Sequence, residues 1–596
     1  MLLAATESPT PGISVLAALL LFIAASVWLG TVAQKAIEKK GFREGFFLGN
    51  RGLGAWTLAL TATVQSGGTF MGFPSLVYSF GWIVALWIAS YMVVPLTGFA
   101  VVGKRLAQLS RRTNAITVPD LMRERFGDPR VGLVASLMIM FFLSFTMFAQ
   151  FKAGATIMQH AWPGSGVLAL SEDFDSPPAK SESSDNAADK VVLTWQQRLH
   201  LWFPLSPKYY IGLLVFSITV VGYTMIGGFL ASVWTDLFQS VMMVIGVMLL
   251  VCLAVPMAGG LEKSSRNAIE LTAPDIAFGP GYSPEESTDP AKSTKRQFLT
   301  PGLALSMFFV WVFAGFASPA SMVRVMAAQN TEVMRKSIFL LSCYNCLIYI
   351  PLIMTCIAAR TLIPDLGSKK SDEVIPRLSL LVTQDFPWQT GQFVSGLILA
   401  APFGAIMASV SCFVLVIASG LVEDIYAKFI NPVATERQLR RATTVSMVSV
   451  GVIAVLAVIN PPTYLQALVV LSGSAGAATF IAPVMMACYW RRANASGALA
   501  GMLGGFLVYF GLYSCGWIQN LATANKASDL AKLALSILGP DPGIGPAGLF
   551  RPYYILGVDP IIWGMLSSVV CGIGFSLATA PPSEQLVKKF FDAPVA

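Results

Sequence analysis

Charge is scarce in this chain of 596 residues: Asp, Glu, Lys and Arg together make up 12%, about half the ~25% usual in soluble domains. A soluble surface needs more, so an ordinary soluble enzyme is excluded. Histidine is nearly absent. His160 and His200 fall in a polar stretch outside the apolar blocks, and no HExxH or His-rich metal motif occurs. The eight cysteines lie almost all inside apolar blocks. Cys343 and Cys346 form a CxxC within FLLSCYNCLIYI, where small residues packing between helices are expected rather than zinc or redox chemistry. No Lys or Arg precedes the first apolar block. It therefore lacks the basic leader of a secretory signal and reads as an uncleaved span.

Apolar residues are plentiful, at 55%, and they fall in blocks of about 20, the helix length that crosses a bilayer core. Thirteen candidate spans follow: 12–33, 54–78, 82–103, 131–158, 208–226, 232–256, 301–322, 337–363, 392–421, 443–459, 464–489, 496–516 and 559–580. Backbone groups in lipid must bond internally, so the expectation is an all-α polytopic membrane protein.

Basic residues set its orientation. With the N-terminus outside, the inside segments hold Lys35, Lys39, Lys40, Arg43 and Arg51, the group from Lys104 to Arg130, then Arg324, Arg335 and Lys336. Lys428, Arg437, Arg440, Arg441, Arg491, Arg492, Lys588 and Lys589 complete 23 of the 40 basic residues. Acidic residues run the other way. The net +8 is thus a membrane-orientation signature with the C-terminus cytoplasmic. It implies a multi-pass protein of the cell inner (plasma) membrane, with the lipid bilayer as a partner, and makes no case for nucleic-acid binding. Two outside loops, 159–207 and 257–300, are Ser/Pro/Asp-rich, lack a packing face and are expected to be partly disordered. The expected division is 1–53 (first span and inside loop), 54–489 (core, as 54–256 and 301–489) and 490–596 (two further spans and a short inside tail). No separate soluble domain is expected, and the oligomeric state is open.

Two spans carry their own interruption. WTLALTATVQSGGTFMGFPSLVYSFG places Gln65, Ser66, Gly67, Gly68 and Thr69 at membrane depth, where glycines and polar residues weaken a helix. WVFAGFASPASMVRVM holds Gly315, Ser318 and Pro319, and proline leaves a carbonyl without its donor. The two lie five helices apart, which points to an inverted-repeat transporter with its binding site at the breaks. Asp236 is the only acidic residue well inside an apolar block, so it is either an ion-pathway carboxylate or a helix cap. Lys152 either snorkels to the outer surface or serves, with Gln150 on the adjacent arc, as a counter-charge for an anionic solute. Gly497 and Gly501 form a GxxxG of the close-packing kind.

Several stretches, in order, resemble the sodium:solute symporter family: FFLGNRGLGAWTLALTATVQSGGTFMGFPSLVYSFGW, KRLAQLSRRTNAITVPDLMRERFG, YTMIGGFLASVWTDLFQSVMMVIG, LAAPFGAIMASVSCFVLVIASGLVEDIY and ACYWRRANASGALAGMLGG. The similarity covers residues 40–515 and is greatest to the sodium/pantothenate branch, through TATxxS, RRxNAxT, AAPxxAIM and RANAxGAL. It implies a leucine-transporter-like core of five plus five helices, no enzymatic activity, and sodium-coupled symport of a small organic solute by alternating access. A pantothenate-like monocarboxylate is the first guess for that small-molecule solute. It implies a Na+ site between the second and ninth spans, with carbonyls from Ala62, Gln65 and Ala405 and side-chain positions Ala408 and Ser409. The chain departs from the family at Ala408, where Ser or Thr is usual. The resemblance also places Asp236 on the inner ion pathway and the solute beside Ser66, Gly67, Thr69 and Ser318. Proton-coupled or uncoupled transport, or a transporter-like sensor, are the alternatives. A membrane enzyme lacks its acid/base or metal cluster at depth.

Overall fold

The computed structural model describes residues 10–37, 52–62, 66–84, 90–164, 205–271, 300–364, 366, 368–387, 389–460, 465–524, 528–540, 543 and 551–592. Among these residues the chain is helical and has no strand, only isolated bridges at Leu53–Ala328 and Ile555–Val558.

The order begins with α1 (Ile13–Ile37), α2 (Ala55–Ala62), wide π turns over Gly68–Gly72 and α3 (Phe73–Phe80). Short turns at Ser90–Val93 and Pro95–Gly103 lead into α4 (Lys104–Thr113), α5 (Val118–Phe126) and α6 (Pro129–Ala161). Then come α7 (Pro207–Met257), α8 (Leu261–Leu271), α9 (Pro301–Ala317), α10 (Pro319–Met326) and α11 (Thr331–Leu362). A 3-10 turn, Ser368–Glu373, precedes α12 (Val374–Leu381), and α13 (Thr390–Ser419) runs on in wide turns to Ile430. The chain closes with α14 (Glu436–Ala457), α15 (Leu465–Tyr489), α16 (Ala495–Ala524), α17 (Asp529–Leu538), α18 (Pro560–Ala578) and α19 (Glu584–Val587), which ends in wide turns to Asp592.

Among the described residues ten helical runs are long and apolar enough to cross a membrane, against thirteen expected. The other three expected spans are the two interrupted ones, 54–78 and 301–322, and 82–103, which lies partly outside the described residues. Helix starts follow local chemistry. Asp128, Ser206, Asn330, Thr435 and Asp559 each accept a backbone N–H of the first turn, and Thr435 with Gln438 forms a capping box.

The expected spans 208–226 and 232–256 are joined almost without a loop. Gly228 alone breaks the helical dihedrals of α7, with φ 57° and ψ −152°, a conformation that needs glycine. Gly212 packs on Met158, and beyond the turn Gly246 packs on Ala401 and Ile398. At the turn itself Gly227 faces Gly30 of α1. α13 is almost wholly buried and forms the centre of the bundle.

The basic loops gather on one face, the one expected to be inside and called inner below: Arg105 donates to Cys488 O, Arg111 to Ala328 O, and Lys428 pairs with Asp120. Four expectations need correction. Cys343 and Cys346 are exposed on the bundle's surface rather than packed between helices. Part of the second outer loop forms α8, whose Ser264 and Ala268 are buried, so its sequence does carry a packing face. His160 belongs to the last turn of α6. Arg324 is not in a loop: α10 carries it into the interior, where it is 1% exposed. The Ser/Pro/Asp-rich stretches at 165–204 and 272–299, with His200, lie outside the described residues.

Candidate functional site

Both interrupted spans break where the sequence weakens them, and they meet at one cavity. α2 is described as far as Ala62, residues 63–65 lie outside the described residues, and Ser66 is non-helical before the wide turns. The next amides find new acceptors. Gly67 N–H donates to Gln150 Oε1 of α6 at 2.6 Å, and Gly68 N–H to Ser66 Oγ at 3.1 Å. Gly67 has to be glycine, because a Cβ there would lie 2.8 Å from Ala153 Cβ and 3.3 Å from Ile406 Cγ1. That contact also puts the break against α13. Between α9 and α10, Ser318 is extended, with φ −61° and ψ 119°. Pro319 takes the first helical position, where its missing N–H costs nothing.

A cavity of about 130 Å³ lies between the breaks, room for ~10 water-sized centres. Ser66, Thr69, Thr146, Ser318, Ser321 and Ser472 bring hydroxyls to it. Phe73, Tyr91, Trp311 and Tyr349 supply an aromatic wall in edge-to-face contacts at 5.4–5.9 Å. Thr69 Oγ1 and Tyr349 OH are 3.3 Å apart, and Thr146 and Ser472 hydroxyls 2.5 Å apart. No ionisable Asp, Glu, Lys, Arg or His lines it among the described residues.

The expected solute residues thus divide. Ser66, Thr69 and Ser318 line the cavity; Gly67, Gln150 and Lys152 do not. Gln150 is fully buried and serves the broken backbone. Lys152 Nζ pairs with Asp372 Oδ2 at 3.0 Å, which also accepts Leu465 N–H. Asp372 belongs to the 3-10 turn 368–373, which covers the outer half of the broken second span through Ser371, 2.6 Å from Ser75 Oγ. In the same turn Glu373 accepts from Arg377 and faces His160 Nε2 at 3.3 Å. Burial pushes the Glu373 carboxyl up, but the bond to His160 and the nearby Arg377 outweigh it and hold it at about 2.

Of the expected sodium ligands, Ala405, Ala408 and Ser409 lie buried on α13. Ser409 Oγ donates to Ala405 O at 3.0 Å, which puts two of the expected oxygens one turn apart on one helix. Ala408 O accepts from Ser411 Oγ at 3.0 Å. Ala62 is the last described residue of α2, and Gln65 lies outside the described residues.

Asp236, 1% exposed, has side-chain partners rather than a helix-terminal N–H. Its Oδ2 accepts from Arg324 Nη2 at 2.5 Å and from Ser232 Oγ at 3.3 Å. Oδ1 has no hydrogen bond among the described residues. Arg324 Nη1 also donates to Thr61 O, and Ser240 Oγ to Leu60 O at 2.9 Å. The inner halves of both broken spans are therefore tied to one turn of α7. The reading of the sequence missed Arg324 as this partner. It also missed Asp424, which is 4% exposed and accepts from Thr117 and Ser136 beside Lys428. A charge repeating four residues before Lys428 was the available signal for Asp424; none existed for Arg324.

The chain matches the Sodium:solute symporter family over residues 46–169 and 201–505. It is 26% identical to the sodium/pantothenate symporter of Escherichia coli K12, covering 78% of this chain and 84% of that protein. It is 25% identical to the sodium/proline symporter of the same organism, covering 83% and 87%. The solved structure of a Na+-coupled sialic acid symporter, in a substrate-bound outward-open state, superposes with a TM-score of 0.62 at 16% identity, over 96% of this chain and 99% of that one. Interrupted helices meeting at a mid-bundle cavity, and a match over most of the chain, lead to one conclusion: this protein belongs to the sodium:solute symporter family.

Proposed function

We propose that the chain carries a small organic solute together with Na+ across the membrane by alternating access. The observation that carries this reading is the convergence of both helix breaks on one cavity beside α13. Na+ is a hard cation that favours oxygen donors, as the hard divalent cations do. The carbonyls of Ala62, Gln65 and Ala405 with the Ser409 hydroxyl would supply such a set, and Ala408 offers one oxygen fewer than a serine would. The solute occupies the cavity beside Ser66, Thr69 and Ser318. The N-terminal end of α10 borders the same space through Ser318, Pro319 and Ser321, and a helix N-terminus suits a polar or anionic group. A pantothenate-like monocarboxylate is supported by the named relatives, but Lys152 is engaged by Asp372, so a carboxylate would be held by hydroxyls and backbone amides. The unpartnered Oδ1 of Asp236 supports a role for that carboxylate in passing the ion to the inner face.

Uptake of a labelled solute panel in proteoliposomes, with and without a sodium gradient, tests the reading. Ser409→Ala should raise the sodium concentration for half-maximal uptake, and Ala408→Ser should lower it. An unchanged sodium dependence in Ser409→Ala sinks the site; uptake indifferent to sodium in the wild type sinks the coupling.

A further inference from the structure

The segment 584–592 is held on the inner face by arginines that the transport cavity does not use. Phe590 is fully buried, and its carbonyl accepts from Arg105 Nη2 at 3.2 Å and Arg112 Nη1 at 3.0 Å. The Arg125 guanidinium lies 5.7 Å from the Phe590 ring centre and 5.1 Å from that of Phe591. Arg491 lies 5.6 Å from the Phe591 ring centre and pairs with Asp592 at 2.5 Å.

Arg125 is the centre of this arrangement. It is fully buried and donates only to carbonyls, Ala487 O at 3.1 Å and Trp490 O at 3.0 Å. Its Nη1 has no hydrogen bond among the described residues. A buried guanidinium without a carboxylate partner depends on ring faces and carbonyls for compensation, and two of the rings are Phe590 and Phe591.

The groove joins two parts of the cavity's frame. One wall is the α4–α5 hairpin, which is fastened to the inner half of the broken seventh span: Arg111 donates to Ala328 O at 3.1 Å, and Gly103 packs against Val325 of α10. The other wall is the inner end of α15, whose Ser472, Gly473 and Gly476 line the cavity. If inward opening of that cavity parts these walls, whatever bridges them opposes it.

We propose that residues 584–592 are a latch: docking of Phe590 and Phe591 between the α4–α5 hairpin and the end of α15 holds the inner vestibule shut, and release of the segment shifts the protein toward its inward-open state. This rests on the alternating-access reading, yet it can be tested without knowing the solute. Cys412, 4% exposed, lines a small inner cavity with Ser232, Arg324 and Ser419, so its modification reports inward opening. The experiment measures, by peptide mass spectrometry, the rate at which a methanethiosulfonate reagent labels Cys412 of the full-length chain in everted membrane vesicles.

Without sodium, F590S/F591S should label about tenfold faster than wild type, while F591Y, which keeps the ring, stays within about twofold. An equal or slower rate in F590S/F591S overturns the latch. If that variant does not reach the membrane, charge reversal replaces it. R491E and D592R should each label faster and R491E/D592R together should restore the slow rate; singles that label like wild type overturn the proposal. Sodium's effect on wild-type labelling is a separate readout: its absence would count against sodium-coupled alternating access and leave the latch result standing.

Discussion

The two faces of the cavity are held by electrostatic ties of different kinds. On the inner side, Asp236 and Arg324 have side chains 2% and 1% exposed and bind to the broken spans directly. On the outer side, Lys152–Asp372 is 12% and 10% exposed, and His160, Glu373 and Arg377 are 13–24% exposed. A fully buried pair loses hydration on both partners, so removing one member leaves an uncompensated charge. A pair that water reaches is screened and worth less. The outer turn is therefore expected to be the cheaper of the two to lift.

The strongest attack on this contrast is Asp236→Ala or Arg324→Ala. Either alone should destabilise by about 3–5 kcal/mol, seen as loss of folded protein or a lower melting temperature in detergent. An apolar replacement of both should recover much of that. Asp236→Asn separates charge from packing. It leaves the Arg324 charge uncompensated, so some loss of stability is expected; if the carboxylate guides sodium inward, the protein that reaches the membrane should bind solute and turn over slowly, and a normal uptake rate would end that role.

Next is the break itself. Gln150→Leu leaves the Gly67 amide without its acceptor, a loss of about 1–3 kcal/mol. Gly67→Ala forces a Cβ into Ala153 and Ile406 at similar cost. Melting temperatures of the purified variants check both; a Gln150→Leu protein as stable as wild type would refute the amide's dependence on that side chain.

Lys152→Met should cost less than breaking the inner pair, because the outer pair is more exposed, and should leave solute affinity unchanged because Lys152 does not line the cavity. A large fall in affinity for an anionic solute, with stability intact, would restore the counter-charge role. The smallest expected effect is that of external acid. Glu373 is held below its usual range, so its contribution to the outer turn is present above about pH 4.5 and is lost as pH falls toward about 2. Hydrogen exchange of residues 368–373 should quicken over that window in wild type and lose the dependence in Glu373→Gln.

Much of this architecture is local and was legible in the chain. Gly67–Gly68 and Pro319 declare the breaks because glycine and proline act on their own turn. Apolar blocks declare spans because lipid imposes one length. The partners of charges were not legible. Arg324 sits 88 residues from Asp236 in the chain, and the hydropathy of α10 fades just before it, so a charge at a span's end reads as a loop charge. Lys152 is separated from Asp372 by 220 residues, with no periodicity to connect them. α8 was obscured by its polar neighbours, although LEKSSRNAIEL places Leu261, Ser264 and Ala268 on one face.

The turn at Gly228 bears on how the protein is made. Between Lys208 and Asp236 there is no charged residue, so nothing at this bend can anchor a half-inserted helix by attraction to the inner leaflet. Nor is there a loop: the reversal occupies about one residue. The two halves of α7 cannot wait for one another on opposite sides of the bilayer. Insertion of the two halves as a hairpin is the expected outcome, with the charges flanking them, on the α4–α5 loop before and near Arg335 after, setting its direction from a distance.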